Sequence, residues 1–211
     1  LKQLDNFSHI EDDYIRDQIF SFDYYKKELT KYKEWNKTRL EYFLKLIPNI
    51  KDKIILDYGC GVGGFLEIAK NDLNVIGYDI NKSICKLNKD NNLNCYNSLN
   101  EIHDVDVIFL SHVLEHTKKP WRFLKELINK YKNAEYFVIE VPNDDECLKT
   151  IYKIGSYIKT SYHWEHLYYF NSTSLKKVVE SANMEIIIGT QLQRYSLANH
   201  LGWIIKSKGG Y

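Results

Sequence analysis

Apolar residues recur along this chain with two alternating periods. Leu40, Phe43, Leu44 and Ile47 stand at i, i+3, i+4 and i+7, which predicts a helix from about Tyr14 to Ile47, stopped by Pro48. The period then shortens. Lys53–Asp57 reads as a buried strand and Phe65–Lys70 as a helix. Asn74–Asp79 is a second strand, and a short helix follows it through Leu87. Leu93–Tyr96 and Val105–Leu110 are the third and fourth strands. Pro120–Tyr131 is a helix with Leu124, Leu127, Ile128 and Tyr131 on one face, and Tyr136–Val141 is a fifth strand. Ser172 or Thr173 is placed to cap a helix striped by Leu175, Val178, Val179 and Ala182, and Glu185–Ile188 reads as a sixth strand. Strands alternating with helices predict an α/β fold, a doubly wound, mostly parallel sheet with helices on both faces. Ligands of such sheets sit at the carboxyl ends of the strands, near the switch point.

Length and charge narrow the field. A chain of 211 residues with a formal charge of +1 suits one domain with a sizeable core, and lacks the basic excess usual in nucleic-acid binders. No run is apolar enough to span a membrane, and no secretory signal is visible. The chain begins with Leu, which suggests trimming. Cys60, Cys85, Cys95 and Cys147 are scattered without metal-ligand spacing and read as reduced thiols of a cytoplasmic protein. No repeat or low-complexity linker interrupts the chain.

The most informative segment is Asp57-Tyr58-Gly59-Cys60-Gly61-Val62-Gly63-Gly64, at the end of the first strand. Its glycines allow a sharp turn and a close approach to a ligand, and the following helix offers free N–H groups. Asp79 ends the second strand, where a carboxylate can accept hydrogen bonds from ribose hydroxyls. These features indicate a nucleoside cofactor. Gly59, Gly61 and Gly64 also satisfy the dinucleotide pattern G-x-G-x-x-G, so an NAD-dependent oxidoreductase is an alternative. Asp57 argues against it, because a carboxylate beside this turn repels a pyrophosphate. An ammonium and a sulfonium are favoured there instead.

The stretch from Ile55 to Gly63 resembles the first motif of class I S-adenosylmethionine (SAM)-dependent methyltransferases, which implies their Rossmann-like fold. The resemblance runs from about Lys53 to Ile188. It implies that Asp57, Gly59, Cys60, Gly61 and Gly63 cradle the cofactor, that Asp79 binds its ribose and that Ile80 lies beside the adenine. Asn97 and Ser98, after the third strand, correspond to residues near the adenine edge, although an Asp is more usual there. Ser111 and His112 open the segment after the fourth strand, Ser111-His112-Val113-Leu114-Glu115-His116. That segment resembles its counterpart in small-molecule enzymes of the ubiquinone-biosynthesis type, where it lines the cofactor and acceptor pocket. The family's sheet usually ends in a hairpin of sixth and seventh strands. No clear seventh strand is visible, and either Leu192–Tyr195 serves or the chain is cut short.

Methyl transfer to a hydroxyl needs alignment and a base, and histidine suits that role at neutral pH. His112, His116 and His166 are the candidates. Each also has a plain structural reading, since a histidine after a strand often only bonds the backbone. His163 and Glu165 with His166 match no strong zinc spacing, and no metal is expected. On the acceptor side stand Asn143, His163, Tyr168 and Arg194. Trp164, Tyr157 and Tyr169 are aromatics able to stack on a sugar or simply to fill a core. Asp144, Asp145 and Glu146 read as a solvated loop. Tyr24, Tyr25, Trp35 and Arg39 belong to an N-terminal helical lid, residues 1–48, before a cofactor half, 49–141, and an acceptor half, 142–211. The passage from Gln191 to Trp203 resembles a tail found in methyltransferases of surface-polysaccharide synthesis; its plain reading is a helix packed on the sheet. Together these readings favour O-methylation of a small-molecule acceptor, a nucleotide sugar or glycan precursor, with S-adenosylhomocysteine as product. N- or C-methylation of another metabolite and a non-catalytic SAM-binding subunit are the other readings. A nucleic-acid acceptor is disfavoured, since no Asn-Pro-Pro-Tyr type motif follows the fourth strand.

Overall fold

Five short segments pair into one parallel sheet. The computed structural model describes residues 22–162, 165–192 and 197–206. Strands β1 (Ile54–Tyr58), β2 (Asn74–Tyr78), β3 (Cys95–Tyr96), β4 (Val107–Ser111) and β5 (Tyr136–Glu140) lie in the order β3-β2-β1-β4-β5. The central register sets Asp57 beside Gly77 on one side and Phe109 on the other, and Ser111 beside Glu140. The order reverses between β1 and β4, which makes their carboxyl ends the switch point. Both faces of β1 and β4 are covered, so apart from Asp57 in β1 and Ser111 at the end of β4 they read as continuous apolar runs rather than alternating ones.

The helices are α1 (Phe22–Leu46), α2 (Gly64–Ala69), α3 (Lys82–Asp90), α4 (Pro120–Lys130), α5 (Cys147–Thr150), α6 (Gly155–Ser161), α7 (Ser172–Ser181) and α8 (Leu197–Lys206). The chain divides into two compact units. One comprises residues up to Val113 with Glu126–Glu140, and the other Leu114–Lys125 with Val141 onward. No helix among the described residues is long and apolar enough to cross a membrane.

The first unit holds the sheet. Its core centres on Phe43 of α1, Phe65 of α2 and Phe109 of β4, whose ring centroids lie 4.9–5.1 Å apart at tilted and edge-on angles. Leu40, Ile47, Ile55, Leu66, Val75 and Val107 are buried around them. The stripe read from the sequence on α1 therefore faces the sheet, except that Leu44 stays exposed.

In the second unit, α7 is capped by Asn171 and not by Ser172 or Thr173. The Asn171 side chain accepts from the Ser174 N–H at 2.9 Å, and the Ser174 hydroxyl accepts from the Asn171 N–H at 2.9 Å, a closed capping box. The expected sixth strand is absent: Glu185–Ile188 belongs to no strand, and Ile187 is 71% exposed. Three adjacent isoleucines favour an extended chain, but that preference becomes a strand only where a sheet edge receives it. Among the described residues the sheet stops at five strands. Leu192 belongs to none, and Arg194 and Tyr195 lie outside the described residues. Helix α8 packs on α5, with Trp203 edge-on to Tyr157 of α6 at 5.2 Å.

Candidate functional site

The glycine turn grows directly out of β1. The N–H groups of Gly59 and Cys60 donate to the Tyr78 carbonyl at 2.7 and 3.0 Å, which folds the turn back over β2. Gly59, Gly61 and Gly63 all have positive φ, at 75°, 52° and 74°. At Gly63 a Cβ would also stand 2.6 Å from Leu93 Cδ1 and 2.7 Å from Asn88 Oδ1. Only glycine satisfies both demands there. Beneath the turn, a Cβ on Gly77 would lie 2.8 Å from Cys60 Sγ. Asn88, fully buried, holds the turn from below by donating to the Gly61 carbonyl at 2.8 Å. Neither Gly77 nor Asn88 stood out in the sequence.

Asp79 closes the loop from the other side. Its carboxylate accepts from the Gly61 N–H at 3.0 Å and from the Asn81 N–H at 2.9 Å. Burial raises its carboxyl above the usual range, against those two hydrogen bonds. Ile80, Asn97 and Ser98 follow the ends of β2 and β3 and are half-buried. The Ser98 hydroxyl accepts from the Asn100 N–H at 3.3 Å and caps a short turn. Cys60 lies 3.5 Å, sulfur to sulfur, from Cys95. That contact favours its thiolate, but burial and the nearby Asp79 and Asp57 outweigh it and push the thiol up to about 12.

Asp57 is the most perturbed carboxyl of the turn. It is 3% exposed at the end of β1, and burial pushes it up to about 7. The Arg39 charge opposes this, while Asp79 and Glu140 add to it. Arg39 belongs to a network that sequence reasoning missed. Its guanidinium donates to both Glu140 oxygens at 2.8 Å, to the Ser111 hydroxyl at 2.7 Å and to Asn36 Oδ1 at 2.5 Å. Trp35 Nε1–H donates to Glu140 at 3.1 Å, and His112 Nε2 lies 3.5 Å from the same carboxylate. Burial alone would raise Glu140, but the hydrogen bonds and charges of His112 and Arg39 hold it at about 2. The available signals were faint: Trp35, Asn36 and Arg39 cluster on one helical face, and Glu140 is a lone acid ending an apolar strand. The side chains of Tyr24 and Tyr25 lie outside the described residues.

His112 has φ 55°, an uncommon conformation for a residue with a side chain, and its N–H donates to the Glu140 carbonyl at 2.9 Å. The structure thus brings Asp57, Asp79, Ser111 and His112 together in the first unit, with Arg39 and Glu140. The other two candidate bases, His116 and His166, belong to the second unit. His116 and His166 meet edge to face at 4.9 Å, beside the fully buried Glu115. Glu165 is exposed, and it is its backbone carbonyl that contacts His116. Asn143 Oδ1 accepts from the Asp145 N–H within its own turn, and the Tyr168 hydroxyl donates to the Lys118 carbonyl at 2.9 Å. His163, Trp164 and Arg194 lie outside the described residues. The acidic run is not a free solvated loop: Asp144 pairs with Lys149, and Glu146 accepts from the Leu148 N–H and lies 3.6 Å from His200.

A parallel sheet in this order, a glycine turn after β1 and an acid after β2 define the class I methyltransferase fold. The sequence model of the family described as a methyltransferase domain matches residues 28–187. The chain belongs to that family, so this is a SAM-dependent methyltransferase domain. A crystal structure of a SAM-dependent methyltransferase from Archaeoglobus fulgidus is 26% identical, with a TM-score of 0.53 over 76% of this chain and 74% of that one. The magnesium protoporphyrin IX methyltransferase of Synechocystis PCC 6803, with bound S-adenosylhomocysteine, shares the fold at 16% identity and a TM-score of 0.54, covering 86% of this chain and 84% of that one. An uncharacterised protein of Methanocaldococcus jannaschii is 33% identical over 110 residues, half of this chain. The chain spans 48% of that curated relative's length.

Proposed function

We propose that this protein transfers a methyl group from S-adenosylmethionine to a hydroxyl of a small-molecule acceptor, a sugar or surface-glycan building block or its phosphate-type decoration. The observation that carries the reading is the paired acids at the glycine turn. Asp79 is held by two backbone N–H groups, and Asp57 is buried at the floor. The residues fit the cofactor. Asp79 keeps lone pairs for the ribose hydroxyls, and Gly61 has no atom within 4 Å of where a Cβ would stand, so the backbone there is open to close approach. Asp57 suits an ammonium and a sulfonium and disfavours a pyrophosphate.

When bound, S-adenosylmethionine supplies an electrophilic methyl group on a sulfonium. His112 is the favoured base among the three histidines. It accepts the acceptor hydroxyl proton as the oxygen attacks, and Glu140 stabilises the resulting imidazolium. Arg39 and Trp35 fix Glu140 for that task. Such a base contributes roughly 100-fold or more. The acceptor side is assigned to residues 142–211, with Asn143, His163, Tyr168 and Arg194 as its candidates. The sugar-type acceptor rests on the aromatics of that half and on the resemblance of residues 191–203 to polysaccharide-type tails.

Calorimetric titration with S-adenosylmethionine, S-adenosylhomocysteine and NAD, repeated with Asp79→Ala, tests the cofactor. Saturable binding of the first two, lost in the variant, is expected. Binding of NAD alone overturns the reading. Methyl transfer to nucleotide sugars, with turnover at saturating cofactor lowered roughly 100-fold or more in His112→Ala, tests the base and the acceptor.

A further inference from the structure

We propose that Glu115, His116 and His166 form a binding site for one divalent transition-metal ion. The carboxylate and the two imidazoles each offer a ligand atom, and these atoms all lie within 4.8 Å of one another. Two ligands on a tetrahedral zinc ion stand roughly 3.4 Å apart, given bonds of about 2.1 Å. Small side-chain rotations therefore close the cluster on an ion. Two imidazoles and one carboxylate match the zinc-class donor set that leaves a coordination position open, and suit first-row divalent cations in general.

The scaffold around the cluster is prepared for this. Glu115 and His116 sit on one turn of 3-10 helix, Leu114–His116, locked by Thr117 donating to the Leu114 carbonyl at 2.8 Å. The loop bearing His166 is fastened to that turn: the N–H groups of Leu167 and Tyr168 donate to the Glu115 carbonyl at 2.8 and 3.2 Å. The Tyr168 hydroxyl adds its bond to Lys118. His116 Nδ1 lies 2.9 Å from the Glu165 carbonyl oxygen. A carbonyl only accepts, so Nδ1 carries the proton, and in the neutral imidazole the lone pair is then on Nε2. This is the outer-shell arrangement that orients metal-binding histidines. Glu115 is fully buried, and a cation shared with two imidazoles suits a carboxylate at that depth. All these residues belong to the second unit. The site accounts for two histidines that the methyl-transfer reading leaves over, and it stands independently of that reading.

The test uses the full chain, stripped by a chelator and titrated with Zn2+ by calorimetry and with Co2+ by visible absorption. One equivalent should bind, with the intense d–d bands of four-coordinate cobalt. His166→Ala and His116→Ala should each weaken binding beyond the roughly 10- to 100-fold that loss of an outer-shell partner costs. Both histidines are half-buried, so these variants should keep their fold, checked by circular dichroism. Absence of a stoichiometric site overturns the proposal. So does binding unchanged in both histidine variants, or a thiolate-to-cobalt charge-transfer band that places the ion on cysteines. If metal binding fails while S-adenosylmethionine still binds, the methyltransferase reading stands alone.

Discussion

The buried Asp57 makes a sharp prediction about stability and pH. Its carboxyl titrates at about 7 in the folded protein, against an ordinary value of 3.8. The folded state therefore holds a proton that the unfolded chain releases. Below pH 3.8 both states are protonated, and Asp57 costs nothing. As pH rises towards 7 the unfolded state is increasingly favoured, and above 7 the full cost is present. About three pH units at roughly 1.4 kcal/mol each set that cost at about 4 kcal/mol, as a ceiling. Asp57→Asn removes the titration and nearly conserves the shape. Thermal unfolding of ligand-free wild type and variant, followed by circular dichroism from pH 3.5 to 8.5, reads the difference. The Tm of the variant should gain on wild type through pH 4–7 and level off above 7. The total should approach roughly 10 °C, since 1 kcal/mol moves Tm by about 2–4 °C at this chain length. Glu140 titrates the other way: its carboxyl is held at about 2, so its contribution is present above 4.5 and is lost as pH falls towards 2. Both proteins share that loss, as they share the raised Asp79, so the difference curve isolates Asp57. A flat difference from pH 4 to 8, or a variant that loses ground as pH rises, would refute the reasoning. Either result would mean that Asp57 sits as a satisfied carboxylate against Arg39.

Two further perturbations test the rest of the site. The Glu140 side chain is 21% exposed, and Arg39→Ala leaves it with Trp35 and His112 as partners, so stability should fall by about 2 kcal/mol at pH 7 in chemical denaturation. Arg39→Ala with Glu140→Gln should recover part of it, and full additivity of the two changes would show that the pair is not coupled. Gly63→Ala forces a side chain into φ 74° and against Leu93 and Asn88, which should cost about 2–4 kcal/mol and weaken S-adenosylmethionine binding. A folded variant with unchanged affinity would show that the turn need not hold this shape.

The parts of the site legible in the sequence are those written by local spacing. The turn from Gly59 to Gly63 and the acid at Asp79 are each fixed by a strand ending a known distance away, so their geometry follows from residues that are near in sequence. The Arg39–Glu140 pair joins residues 101 positions apart and becomes readable only once β5 is placed next to β4. The isoleucines at 186–188 mislead for the complementary reason: their pattern is local, but a strand needs a partner that local pattern does not supply. His116 and His166 are likewise brought together by backbone hydrogen bonds from Leu167 and Tyr168 to Glu115, which no spacing rule reports.

Burial changes the terms of the charge argument at Asp57. Read from the sequence, the carboxylate repels a pyrophosphate because it is charged. In the folded protein burial leaves that charge undecided near neutrality, so the ligand itself selects the protonation state. An anionic ligand meets a neutral acid and gains nothing from it. A ligand carrying an ammonium and a sulfonium draws the carboxylate into its charged form and is held by it. Discrimination thus becomes a linkage between proton release and binding of a cation. Affinity for S-adenosylmethionine should rise with pH up to about 7 and stay level beyond it, by at most tenfold per pH unit. The same titration in Asp57→Asn should be flat, and a slope that persists in that variant would assign the linkage to another group.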